Sequence, residues 1–187
     1  MNDLARRDGD IAEVLAFWFE ELRPEQWFEK DEALDRIVRT RFGALYRRLA
    51  TNLAPDWRQT AKGCLAAVIV LDQFPRQLYR DDARAFATDE AALAIASLAI
   101  ERCFDRVLSP AQRKFLYMPF QHSEDADAQA RSVALFATID DAETVAYAWR
   151  HKEVIDRFGR YPHRNAALGR ASTEEELAFL EEPNSVF

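Results

Sequence analysis

CLAAVIVLDQFPRQLYR, residues 64–80, opens with an unbroken apolar run from Cys64 to Leu71 and closes on charged side chains at Asp72, Arg76 and Arg80. The run is far short of the ~20 residues needed to span a bilayer, so it reads as a core element. Within a helix spanning about Trp57 to Gln73 it is apolar on every face, which places that helix at the centre of the fold. Pro75 is expected to end or kink it, because proline lacks the amide hydrogen and clashes with the preceding turn. Asp72 follows Leu65, Val68 and Ile69 at helical spacing, so a carboxylate lies on the buried stripe and needs a partner there.

Outward from this helix the pattern stays helical. Ile11, Val14, Leu15, Trp18 and Leu22 recur every three or four residues, predicting a first helix that begins after Asp8-Gly9-Asp10. Pro24 breaks it, and Trp27-Phe28 reads as an aromatic anchor in the loop. A second helix covers about Asp31 to Ala50, with Leu34, Ile37, Val38, Phe42, Leu45, Tyr46 and Leu49 on one face. Thr88-Asp89-Glu90 opens a fourth, running to Phe104. Ser109-Pro110 starts a short helix expected to stop before Pro119, and Ser123 caps another that continues to Ile139. The next spans about Asp141 to Phe158, with Gly159 in the left-handed terminating position. Thr173 with Glu176 forms a capping box for a last helix. No convincing period-two alternation occurs, so the expectation is an all-α chain of antiparallel helix hairpins forming a single domain over residues 1–187.

Composition narrows the function classes. The chain of 187 residues has a formal charge of −7, which argues against nucleic-acid or anionic-membrane binding by bulk charge. Residues 150–170 nevertheless form a basic island, with six Lys or Arg against two acids, beside a tail at 171–187 holding five Glu and no Lys or Arg. Cys64 and Cys103 offer neither a disulfide framework nor metal-type spacing. The opening MNDLARRDGD lacks the apolar core of a signal peptide. A cytoplasmic location is the expectation.

Three polar stretches stand out. In the first, Asp72 can pair with Arg76 or Arg80, either as a tie between helices or as the wall of a pocket with an arginine left to take a carboxylate or phosphate. In the second, HSED at 122–125, the acids suit the positive end of a helix, while His122 stands at an entrance where an anion could bind. The third, HKEVIDRFGRYPHRN at 151–165, gathers His151, Arg160, His163, Arg164 and Asn165 around Gly159 and Pro162. His151 shares a helical face with Ala148, Ile155 and Phe158, so it points inward. These are the parts of an anion site or an acid–base site, and equally of a buried ion-pair network. Ligand spacing and the density of arginine speak against a metal, and no phosphate-binding glycine loop or nucleophile elbow is present. No cofactor is called for.

Together VLAFWF, WFEKD, VLDQFPRQLYR, FLYMPFQHSED and RFGRYPHRNAALGRASTEEELAFL resemble the bacterial domain of unknown function family 924, from about Ile11 to Leu180. The resemblance implies an all-helical, tetratricopeptide-repeat-like right-handed array and no established activity. It adds weight to Asp72, Gln73, Arg76, Arg80, His122, Glu124, His151, Arg160, Arg164 and Asn165. Gln77 stands where asparagine is expected, and Phe120-Gln121 where Leu-Met is expected.

The resulting expectation is a binding module for a small anion, a phosphorylated metabolite or an acidic peptide. Its ligand-binding residues would be Asp72, Gln73, Arg76, Arg80, Glu124, Arg160, Arg164 and Asn165. The alternatives are a phosphoester-type hydrolase using His122 or His151 as acid or base, and a protein-interaction scaffold in which these charges are structural. A homodimer is compatible with all three.

Overall fold

The computed structural model describes residues 3–183 and 185, with side chains from Arg7 onward. Every regular element among these residues is helical: α1 Asp3–Ala16, α2 Glu32–Thr51, α3 Ala61–Val68, α4 Phe74–Leu78, α5 Asp89–Glu101, α6 Pro110–His122, α7 Ala126–Phe136, α8 Ala142–Phe158 and α9 Glu174–Leu180. Cys64 to Leu71 are all fully buried, and α3 with the turn that follows it touches α1, α2, α5 and α6. The apolar run is therefore central, as its composition requires.

Pro75 does not end that helix. Between α3 and α4 the chain widens into a π turn over Ile69–Gln73, where the amide of Phe74 donates to the Ile69 carbonyl five residues back. Pro75 has no N–H to give the Leu71 carbonyl. The Thr88 hydroxyl donates to that oxygen instead, at 2.6 Å, so the orphaned acceptor is satisfied from α5's doorstep and the helix resumes. Wide turns of this kind reorient side chains locally, and this one carries Asp72.

Other boundaries moved for equally local reasons. Helix α1 begins at Asp3, ahead of the expected cap. Asp8 and Asp10 instead form ion pairs, with Arg7 and Arg48 respectively. Helix α6 runs through Pro119 to His122, and its last turn is closed from outside, as described below. Asp125 rather than Ser123 caps α7, accepting from the amide of Ala128 at 2.8 Å. Helix α5 stops at Glu101, and Cys103 turns the chain with φ of 56°. By contrast α2 starts within a residue of the expected Asp31, which caps it, α8 ends on Gly159 at φ 67°, and Thr173 and Glu176 form the expected box. Trp27 anchors its loop against Phe115, with ring centroids 4.9 Å apart, whereas Phe28 remains exposed.

Aromatic packing fixes α4 against the rest. Phe74 is fully buried, stacked on Phe42 at 4.8 Å and edge-on to Trp18 at 5.7 Å. Truncating a buried aromatic of this kind costs about 3–5 kcal/mol. Phe74→Ala is expected to lower the urea midpoint accordingly, and a loss under about 1 kcal/mol would mean the cluster does not hold α4 in place.

A smaller apolar cluster of Val154, Ile155 and Tyr161, with Phe158 and Phe179, ties the end of α8 to residues 159–182. That segment folds back as a strap over the ends of α5 and α6, bringing residues 161–164 to Asp89 and to the last turn of α6.

Candidate functional site

Asp72 is the most deeply buried charged side chain of the site, with no solvent exposure. Its carboxylate accepts from His122 Nδ1 at 2.8 Å and from the Gln73 amide, and lies 3.5 Å from Arg76 Nη1. Burial works to raise its pKa, but Arg76 and His122 outweigh burial and hold the group well below the usual carboxylate range. Asp72 is therefore ionised at neutral pH, and it fixes which nitrogen of His122 carries hydrogen. The His122 side chain is 15% exposed, and its Nε2 has no hydrogen-bond partner among the described residues. Burial, then the neighbouring Arg76, lowers the His122 pKa, so the ring is neutral.

Two guanidinium groups meet beside this pair. Arg76 engages Asp89 with both terminal nitrogens, at 3.0 and 3.1 Å, and also donates to the Asp72 carbonyl. Arg164 reaches the same Asp89 from the strap, at 3.3 Å, and lies between the rings of Phe86 and Tyr161, 4.6 Å from each. Arg164 is only 7% exposed. Burial and the like charge of Arg76 both pull its pKa down. Its Nε–H is buried and has no acceptor among the described residues, which costs the free energy of an unmade hydrogen bond. His163 stands close by, its pKa pushed down to about 3 by burial and the two arginines.

The other expected site residues divide between this place and elsewhere. Gln73 serves Asp72 and touches the Met118 sulfur. Arg80 turns away to make a two-pronged pair with Asp35. His151 is buried with both nitrogens engaged: Nδ1 donates to the Tyr147 carbonyl at 2.9 Å, and Nε2 accepts from the Gln121 amide at 3.2 Å. Burial pushes its pKa to about 3, so it is held neutral. The unexpected Gln121 thus has a defined task.

Glu124, Arg160 and Asn165 form a second network that clasps the strap. Glu124 accepts both prongs of Arg170, at 2.7 and 3.0 Å, and the Tyr161 amide. Arg170 also donates to Asn165, which reaches Glu176, and Glu176 accepts from Arg160 at 2.6 and 2.8 Å. The Arg160 bonds and the Thr173 amide draw the Glu176 pKa down to about 2. Gln129, fully buried, donates to the carbonyls of Gln121 and Ser123, while the Tyr161 hydroxyl donates to Gln121. These two close the C-terminal end of α6, whose last carbonyls have no donor within the helix.

Asp89, Tyr161, Gln129 and Arg170 were not read as site residues from sequence. Asp89 looks like an ordinary acid in the first turn of a helix, and Gln129 sits in an unremarkable amphipathic stretch. Among the described residues, no group of three or more His, Cys, Asp or Glu is arranged to hold a metal ion, and no helix is long and apolar enough to cross a membrane.

Comparison with known proteins agrees with this architecture. The solved structure of ATU0120, a protein of unknown function from Agrobacterium tumefaciens, is 36% identical to this chain, with a TM-score of 0.88 over 97% of this chain and 100% of that one. No match was found among curated proteins. The family model for bacterial proteins of unknown function designated DUF924 matches residues 14–184. That span, reached independently of the shared helical architecture, makes this chain a member of the DUF924 family of bacterial proteins of unknown function.

Proposed function

We propose that the protein binds a small anion where Arg76 and Arg164 converge. The observation that carries this reading is the buried Arg164, whose Nε–H lacks an acceptor beside a second guanidinium. An anion there would join or replace the Asp89 carboxylate that the two like charges now share, and arginine forks suit carboxylate and phosphate oxygens. A saturable, salt-sensitive calorimetric signal with inorganic phosphate or a dicarboxylate is expected for the wild type. Arg164→Met keeps an unbranched stem against Phe86 and Tyr161 and is expected to weaken binding at least about tenfold, the loss of one charged hydrogen-bond donor. If the wild type binds none of phosphate, sulfate or dicarboxylates, the reading fails.

A second reading adds catalysis, favoured by the Asp72–His122 pair. A buried carboxylate that orients a neutral imidazole, with Nε2 left open beside two arginines, has the parts of a general base acting on an anionic phosphoester. His122→Gln would then abolish turnover of a phosphomonoester while sparing its binding. Equal turnover by that variant would remove His122 from the reaction. His151, held neutral with both nitrogens bonded, fits this role less well. A tetratricopeptide-like array and a cytoplasmic setting, inferred from the resemblance and the two free cysteines, accord with either reading.

A further inference from the structure

Gln77, the glutamine found where asparagine is expected, serves no partner within the fold. Its side chain is only 7% exposed, yet neither end of its amide has a hydrogen-bond partner among the described residues, and Oε1 is enclosed. The residue lines an open cleft of about 400 Å³ between the start of α2 and residues 77–84, a volume within the ~300–1,000 Å³ usual for small-molecule sites. A half-turn about the last side-chain bond exchanges the two ends of the amide, so it can offer the cleft a donor or an acceptor. A ligand that takes it breaks no bond already made.

Charges of both signs line the same cleft, and most are settled among themselves. Arg80 gives both prongs to Asp35, at 2.5 and 2.6 Å. Arg84 engages Asp82 twice at 2.9 Å, and Glu32 lies 3.9 Å from Arg36. Three lining groups remain uncommitted among the described residues. Lys30 makes no hydrogen bond or ion pair, and Arg39 donates only to the Leu78 carbonyl, at 3.3 Å. Asp81, in the loop after α4 with φ of 59°, has no cation within ion-pair distance. Free positive charge thus comes from the α2 side and free negative charge from the loop, with an unmet amide in the same cleft. A plain anion would meet Asp81, and a plain cation would meet Lys30 and Arg39. A molecule carrying one charge of each sign offends neither.

We propose that this cleft binds a short zwitterionic peptide, with its carboxylate taken by Arg39 and Lys30, its ammonium group by Asp81 and its peptide amide by Gln77. The cleft shares no lining residue with the Arg76–Arg164 corner, so this site goes beyond the anion site and does not depend on it.

The test is calorimetric titration of the full chain with alanylalanine, with its N-acetylated form and with its C-terminal amide. The expected result is saturable binding of the free dipeptide by the wild type, with a Kd of about 1 mM or tighter, and binding at least about fivefold weaker for each blocked form. Gln77→Met keeps an unbranched stem, removes an unmet buried amide, and is expected to weaken binding at least about threefold, the loss of one neutral hydrogen bond. Arg39→Gln and Asp81→Asn are each expected to weaken it at least about fivefold. An NMR titration of the wild type keeps the test independent of how the variants fold, with the Gln77 side-chain amide and the Asp81 backbone amide expected to shift. No saturable binding of the free dipeptide by the wild type overturns the proposal. Equal binding of the blocked forms overturns the zwitterion assignment. Binding that leaves both Gln77 and Asp81 resonances unmoved, or that all three variants retain in full, overturns the location.

Discussion

Acidification from about pH 6.5 to about 4.5 is expected to remove about 3–5 kcal/mol of folding stability, well before the carboxylates themselves titrate. The cause is histidine. His151 and His163 are held neutral in the folded protein down to about pH 3, and His122 is displaced in the same direction. In the unfolded chain each takes up a proton near the ordinary imidazole value of about 6.5. Unfolding thus binds protons throughout this window, and stability rises with pH. It is fully present above the unfolded histidine pKa and declines below it. Each such proton contributes about 1.4 kcal/mol per pH unit, and the partial exposure of His163 lowers the sum. Below about pH 4.5 the depressed carboxylates of Asp72, Glu124 and Glu176 extend the loss in the same direction, since each protonates more readily when unfolded. Urea midpoints at half-unit pH intervals measure the slope. A flat profile between pH 7 and 5 would mean that these imidazoles are not sealed from protons, and replacing His163 by glutamine should flatten the slope by about one proton if they are.

Asp72→Ala is expected to cost about 3–5 kcal/mol, the range for removing one member of a buried charged pair. Three donors lose their acceptor at once: His122 Nδ1, the Gln73 amide and one side of Arg76. Arg76 keeps Asp89, which favours the lower end of the range. Chemical denaturation reads the stability, and an NMR titration of His122 reads the mechanism. Burial and Arg76 already depress that imidazole while Asp72 works to raise it, so removing Asp72 should depress it further. A loss in stability with no change at His122 would locate the effect in packing around the π turn rather than in the charge pair.

What could be read from the sequence divides by distance along the chain. Gly159 ending α8 and the Thr173–Glu176 box are decided within a few residues, and both were legible. The Asp72–Arg76 pair was legible as a four-residue spacing. Pro75 does not end its helix because the group that compensates for it, Thr88 at the Leu71 carbonyl, comes from 17 residues away, and α6 likewise runs on past Pro119 to His122. The same holds for the site. Asp72 and His122 are 50 residues apart, and Asp89 and Arg164 are 75 apart, so no local pattern announces either pair. The basic island was visible, but its arginines serve different masters. Arg164 enters the site, whereas Arg160 and Arg170 fasten the strap to Glu176 and Glu124.

The strap also has a place in time. A chain made from its N-terminus presents Asp72, Arg76 and Asp89 before residues 159–182 exist. Until then this corner of the nascent protein holds two carboxylates against one guanidinium, and lacks one positive charge. Arg164 arrives late to make up the deficit, with Tyr161 closing α6 in the same movement. A later-made segment is thus drawn to its berth by an electrostatic vacancy that an earlier one has already created.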